Sequence, residues 1–228
     1  MLVHTRGLVL SQFNYGENSL VLKVYTEAQG IKSYILEKSK AQKRRANKVA
    51  PYQPLYLLDM VTYWQEKYTF GRINECQVLR PFHHTLLHPH KRALALFILE
   101  ILLKSLKEEE ANEPLFAFLV YSFEWLDAAS DSQFDCFHLV FLVNLAAFLG
   151  FGLTDVEVLL AQSNINEHID EEHLQILTRL LTCEYDELEQ IPNKSKYLLL
   201  SILIGFYQIN IPDFGTIKSL AVLREIFR

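Results

Sequence analysis

The sequence predicts an α+β protein, a β domain over residues 1–80 followed by an all-helical domain over 81–228. Three observations carry that prediction. Hydrophobicity alternates with a period of two through the first part of the chain. From residue 82 the apolar positions take helical spacing instead. The sign of the charge changes too: residues 1–75 carry 11 Lys+Arg against 6 Asp+Glu, net +5, and the remainder carries 11 against 21, net −10. The overall −5 and the pI near 5.9 hide this split. With 228 residues, 50% of them hydrophobic, each part can bury a core.

Leu2 to Phe13 reads as a strand, and Asn14-Tyr15-Gly16-Glu17-Asn18 has turn composition. Leu20 to Thr26 alternates, with Leu20, Leu22 and Val24 on one side and Val21, Lys23 and Tyr25 on the other. After a turn at Gln29-Gly30, Ile31 to Leu36 alternates again. Ile31, Ser33 and Ile35 oppose Lys32, Tyr34 and Leu36. This is the pattern of an antiparallel hairpin with one buried face. The expectation is that its outer face interleaves Lys23, Tyr25, Lys32 and Tyr34. Bases stack on tyrosine rings while lysines neutralise phosphates, so such a face suits single-stranded nucleic acid.

Lys38 to Pro54 reads KSKAQKRRANKVAPYQP and separates this hairpin from the next strand. Its six cations, Lys38, Lys40, Lys43, Arg44, Arg45 and Lys48, are joined by no acid. A basic loop on a β scaffold is an electrostatic hook for a polyanion. Charge runs also serve as plain solvated surface; the net positive balance of this part of the chain, against a net negative remainder, favours the polyanion. Leu55 to Tyr68 is β-rich, and Gly71 to Leu79 forms a fifth strand before Pro81. Five short strands suggest a small closed barrel, and the OB-fold is the five-stranded barrel that binds oligonucleotides.

In Arg92 to Leu106, Leu94, Phe97, Ile98, Ile101 and Leu102 follow helical spacing and the other faces are nearly as apolar. That marks a buried central helix. Asn112-Glu113-Pro114 is a helix start, leading into Phe116, Leu119, Val120 and Phe123. A third helix uses Phe137, Val140, Phe141, Asn144, Leu145 and Phe148 and stops at Gly150. Further helices are expected over Glu171–Leu181, Lys194–Tyr207 and Thr216–Phe227. Asn144 reads as a satisfied core amide.

The histidines His83, His84, His88 and His90 are the one tempting metal cluster. Pro89 disfavours a helical His88, and no carboxylate or cysteine lies nearby in sequence, so the stretch is read as a polar linker and no metal or other cofactor is expected. No HExxH, GxSxG, P-loop or GxGxxG pattern occurs, which favours a non-enzymatic protein. Cys76, Cys136 and Cys183 are widely spaced and form no CxxC pair, which fits a reducing cytoplasm. The opening MLVHTRG has no secretory pattern, and the densest apolar run, Phe137 to Leu149, is too short for a bilayer. A soluble, cytoplasmic and nucleoid-associated protein without membrane contact is expected.

The order of these pieces resembles the RecO family of bacterial DNA-repair and recombination mediators over almost the full length, in its Bacteroidetes-like form. Its carriers are RGLVLSQFNYGENSLVLKVYTEAQG (6–30), the basic loop ending in YQPLYLLD (52–59), and RINECQVLRPF (72–82). In the helical part they are EILLKSLKEEEANEPLF (100–116) and FGTIKSLAVLREIF (214–227). The resemblance implies an N-terminal OB-fold and a helical C-terminal domain. It implies binding of single- and double-stranded DNA, annealing of complementary strands, and work with RecR and RecF to load RecA onto DNA coated by single-stranded-DNA-binding protein, whose acidic, hydrophobic C-terminal tail the family contacts. Arg6, Lys23, Lys32, Lys38, Lys40, Lys43, Arg44, Arg45 and Lys48 fall where the family carries DNA-binding charge. Many relatives hold a four-cysteine zinc module in the helical domain; here LTDVEVLLAQSNINEHID follows Gly152 without a cysteine pair, so no zinc is expected.

Two other classes compete. One is a protein-interaction scaffold whose OB-like barrel binds peptide and whose basic loop grips an acidic tail. The other is a nucleic-acid hydrolase without a recognisable motif, which metal-dependent turnover would reveal.

Overall fold

A computed structural model describes the chain except for residues 1, 38–51, 66–67, 108–109, 164, 166–168, 188–190 and 227–228. It divides into two compact units, Met1–His83 with Leu106–Phe123 and His84–Ser105 with Glu124–Arg228. The fold class is α+β, a five-stranded antiparallel sheet followed by helices.

The first unit is built on the strands β1 (Leu2–Tyr15), β2 (Ser19–Thr26), β3 (Gly30–Glu37), β4 (Leu57–Tyr63) and β5 (Arg72–Arg80). Their order in the sheet is β3-β2-β1-β4-β5. β1 is the organising strand because it serves two partners in turn. Its Leu2–Leu8 half pairs with β4 and its Gly7–Tyr15 half with β2, with a register irregularity between Val9 and Ser11. Gly7 stands at that handover. A Cβ there would meet Met60 Cε at 2.5 Å and Val24 Cγ1 at 2.6 Å, so any larger residue would have to displace those core side chains. In place of the expected closed barrel, the described strands form a ladder running from β3 to β5. Between those outer strands the described pairing is one parallel bridge, Tyr34 to Gly71, in which Ile35 N donates to Gly71 O and Gly71 N to Ser33 O. This is the partly open form of a five-stranded sheet.

One face of the sheet is the core of the unit: Val9, Leu20, Leu22, Val24, Tyr34, Leu58 and Met60. Part of the other face is also covered. Leu8 lies in register between Tyr25 and Leu57, all three are buried, and the Phe116 ring stacks on Tyr25 at 6.4 Å. β4 is shorter than the β-rich segment suggests. Leu55 takes a left-handed φ of 71° and donates to Val9 O, which sets the entry to the strand.

The helices are α1 (His83–Leu87), α2 (Pro89–Ser105), α3 (Glu113–Ala128), α4 (Phe137–Phe148), α5 (Val156–Ala161), α6 (Glu171–Leu180), α7 (Asn193–Asn210) and α8 (Ser219–Ile226). Asn112 Oδ1 accepts from Leu115 N at 3.0 Å at the start of α3, and Asp170 Oδ1 accepts from His173 N at 3.0 Å at the start of α6. Gly150, with φ of 83°, follows the end of α4. The second unit packs α2 against α8 and α4 against α7, burying Leu94, Phe97 and Ile101 of α2, Phe137 and Phe141 of α4, and Leu199, Leu203 and Phe206 of α7. Asn144 is satisfied within its own helix, donating from Nδ2 to Val140 O at 3.0 Å. No described helix is long and apolar enough to cross a membrane.

Candidate nucleic-acid interface

The hairpin expected to carry the interface is set by its turn. Thr26 Oγ1 donates to Gly30 O at 2.8 Å and accepts from Gln29 N at 3.2 Å, while Gly30 takes φ of 63°. Thr26 therefore pairs with Gly30, Val24 with Lys32 and Leu22 with Tyr34. Three residues lie inside the turn, so even-numbered residues of β2 face even-numbered residues of β3 across the ladder. Facing residues send their side chains to the same side of the sheet.

That pairing overturns the expected outer row of Lys23, Tyr25, Lys32 and Tyr34. Tyr34, opposite Leu22, is fully buried in the core, where burial pushes its pKa up. Lys32, opposite Val24, is also buried, with its ammonium 4.7 Å from the centre of the Trp64 ring. Tyr25 lies on the other face but is buried beneath Phe116. Lys23 alone of the four is partly exposed. A one-residue difference in register exchanges the two faces of a strand, and alternation within each strand cannot reveal the register between them.

What shares the face of Lys23 is different. Lys23 pairs with Ser11 of β1 on one side and Ser33 of β3 on the other. The next row on that face is Phe13, Val21 and Ile35, and the row after it is Tyr15, Ser19 and Glu37. Phe13 is 46% and Tyr15 52% exposed. The Tyr15 ring meets Phe70, in the connection between β4 and β5, with centroids 5.3 Å apart and planes at 67°. Tyr68, in the same connection, is 52% exposed. Glu37 is the last described residue before the cation-rich stretch. Lys38, Lys40, Lys43, Arg44, Arg45 and Lys48 themselves lie outside the described residues. Sequence reasoning passed over Phe13, Tyr15, Tyr68 and Phe70. Two large rings at the exposed end of β1 were the available signal.

Arg6 belongs elsewhere. It is nine residues before Tyr15 on β1, roughly 30 Å away along an extended strand. Its Nε and Nη2 both donate to the Glu27 carboxylate, and the guanidinium lies 5.3 Å from the centre of the Phe116 ring. The hydrogen bond from Arg6 holds the Glu27 carboxyl below its ordinary range.

His84, His88 and His90 of the histidine stretch belong to the second unit. His84, His88 and Lys91 line a cavity of about 490 Å³ with Asp127 and Asp131. Lys91 Nζ donates to the carbonyls of Asp127 and Ala129 at 3.0 and 2.6 Å, closing the end of α3. His88 Nε2 lies 3.3 Å from Asp131. Among the described residues no group of three or more His, Cys, Asp or Glu could hold a metal ion.

Comparison with known proteins gives a consistent result. The family model for Recombination protein O N terminal matches residues 1–82, and that for Recombination protein O C terminal matches residues 87–154. The chain is 33% identical to a DNA repair protein RecO of Christiangramia forsetii over 240 aligned positions that span all of both chains. It is 31% identical to that of Flavobacterium psychrophilum and 30% identical to that of Bacteroides fragilis, again over the whole of each chain.

Proposed function

The chain belongs to the RecO family of DNA repair proteins, and from that premise we propose that it is a non-enzymatic recombination mediator that binds single- and double-stranded DNA and anneals complementary strands. The observation that carries this is the polarity of the first unit. Six cations without an acid follow β3 in the sequence, and Lys23, Phe13 and Tyr15 share a face of the sheet. Lysine and arginine neutralise phosphates and release counterions whatever the base sequence. Held by one cationic surface, two strands repel each other less, and pairing needs no catalytic group. The remainder of the chain, net −10, would be repelled by DNA and is left to dock proteins. Those we propose are RecR and RecF, and the tail of the single-stranded-DNA-binding protein, so that RecA can be loaded on the strand beneath. The setting is the cytoplasm, at the nucleoid.

The test is a titration of a labelled single-stranded oligonucleotide at several salt concentrations, comparing wild type with Lys43→Glu/Arg44→Glu/Arg45→Glu. Wild type binds with a steep salt slope; the triple variant is weaker and flatter, by up to about two units for three lost phosphate contacts. Coincident curves would remove the loop from the DNA site. If the variant lost a protein partner instead, the scaffold reading would replace this one. Turnover of nucleic acid with divalent metal would end the non-enzymatic reading.

A further inference from the structure

We propose that the cavity bounded by α1, α2 and the end of α3 takes an arginine side chain presented by a partner protein. The proposal goes beyond the DNA reading above and does not depend on it. The residues that line the cavity, of about 490 Å³, all belong to the second unit. That volume suits a small ligand or one large side chain. Lys91 is the one lysine or arginine in the lining. It is 4% exposed, and its Nζ donates to the carbonyls of Asp127 and Ala129. Its charge is thereby committed to the C-terminal end of α3, where the last carbonyls and the helix dipole are both negative. Burial pushes the Lys91 pKa down, and the charges of Asp127 and Asp131 push it back up. Both carboxylates therefore act on this one cation. Two carboxylates against one ammonium leave the cavity one positive charge short.

The two carboxylates suit a planar cation. Asp127 Oδ1 accepts from Thr85 N at 2.7 Å, which fixes that group before a ligand arrives. Asp131, with its side chain 81% exposed, meets His88 Nε2 at 3.3 Å. A guanidinium presents five N–H donors in one plane and can engage two carboxylates at once, whereas an ammonium is a point charge. Leu87, also 81% exposed, supplies apolar surface for the aliphatic stem. Arginine is, besides, the charged side chain enriched at protein interfaces. Phosphates and acidic peptides are repelled by the same two carboxylates, so DNA does not fit here and an acidic tail must dock elsewhere.

The test is an NMR titration of the isotope-labelled full chain with three capped tripeptides, Gly-X-Gly, in which X is arginine, citrulline or glutamate. Citrulline has the shape of arginine without its charge. The arginine peptide moves the backbone amide signals of residues 127–131 saturably, and the other two leave them in place. Asp131→Asn weakens binding of the arginine peptide about threefold, as loss of one exposed ion pair does. Asp127→Asn/Asp131→Asn removes that binding. Both variants keep the fold, because Asp131 is exposed and an amide oxygen at position 127 still accepts from Thr85 N. No saturable shift with the arginine peptide overturns the proposal. Equal binding of the citrulline peptide, or undiminished binding by the double variant, overturns it too. Binding of the glutamate peptide at these amides would give the cavity to an acidic partner instead. The assay contains no DNA, so each of these failures leaves the DNA reading standing, and a failure of the salt titration above leaves the arginine site standing.

Discussion

Arg6 and Glu27 form a two-point fork, with Arg6 Nε donating to Glu27 Oε2 at 2.9 Å and Nη2 to Oε1. The pair ties β1 to the turn that follows β2, where Glu27 N also donates to Arg6 O at 3.0 Å. With the Phe116 ring beneath the guanidinium, the fork links the hairpin turn to the first part of α3. A cation counted from the sequence as a phosphate contact is thus already part of the scaffold.

Its energetic role is modest and depends on pH. The fork lowers the Glu27 pKa, so the ionised carboxylate is favoured by folding. The stabilisation is complete above the unfolded carboxyl value near 4.5 and is lost as pH falls through the lower folded value. Glu27→Gln should cost no more than about 1 kcal/mol at pH 7, as an exposed pair does. In urea melts the gap from wild type should narrow as pH falls below about 4.5 and through the lowered folded value. A gap of undiminished size throughout that acid range would show that the charge is not the cause.

Arg6→Ala should change the salt slope of DNA binding by less than one unit, the change expected for a full phosphate contact. A drop as large as that from removing one loop cation would return Arg6 to the DNA surface.

Tyr34 separates core from interface. Burial raises its pKa, and the nearby Thr62 hydroxyl offsets only part of that rise. The phenol oxygen has no partner in hydrogen-bond geometry among the described residues. Tyr34→Phe should therefore be neutral or stabilising by about 0.5–1 kcal/mol, and Tyr34→Ala should cost about 3–5 kcal/mol through the cavity it leaves. Single-strand affinity of Tyr34→Phe should equal that of wild type. A loss of affinity without a loss of stability would put this ring on the DNA after all.

His138, buried on α4, has its pKa pushed down to about 3 by burial and then by Lys196, whose ammonium is 2.6 Å from Asp135. Between about 6.5 and about 3 the unfolded chain binds a proton here that the folded one does not. Stability therefore falls on acidification through that window, by up to about 1.4 kcal/mol per pH unit. His138→Gln, whatever its offset at pH 7, should flatten the dependence measured by denaturant melts from pH 7 to pH 4. Parallel curves for the two proteins would assign the acid sensitivity to other groups.

Gly205 in α7 faces the Ser163 carbonyl, and an added Cβ would lie far inside contact distance of that oxygen. Backbone cannot yield as a side chain can, so Gly205→Ala should cost about 1–3 kcal/mol. Gly152→Ala, where a Cβ meets nothing within 4 Å, should stay within about 0.5 kcal/mol of wild type. Equal melting temperatures for the two variants would contradict the close approach.

Much of the fold was legible because its signals are local. The alternation of Leu20 to Thr26 and of Ile31 to Leu36 follows from the opposite directions of successive side chains on a strand. The apolar spacing of α2, α4 and α7 follows from the helical repeat. Helices α1 and α5, of five and six residues, are too short to show a period; the N-cap of α5, Asp155 accepting from Glu157 N, emerges from the structure. The resemblance to RecO also lies in the one-dimensional order of the pieces.

Local pattern in the chain was enough for the α+β class, the strands and longer helices, the family, and the concentration of positive charge between β3 and β4. Only the tertiary structure decided which rings and cations share a surface. Lys32 and Tyr34 turn inward because a three-residue turn sets the pairing of β2 with β3, Arg6 is held by Glu27, and Tyr15 of β1 meets Phe70 of the β4–β5 connection. The alternation that builds each strand is indifferent to that pairing, and both faces of this sheet carry apolar residues. Which face meets solvent therefore depends on contacts between segments far apart in the chain.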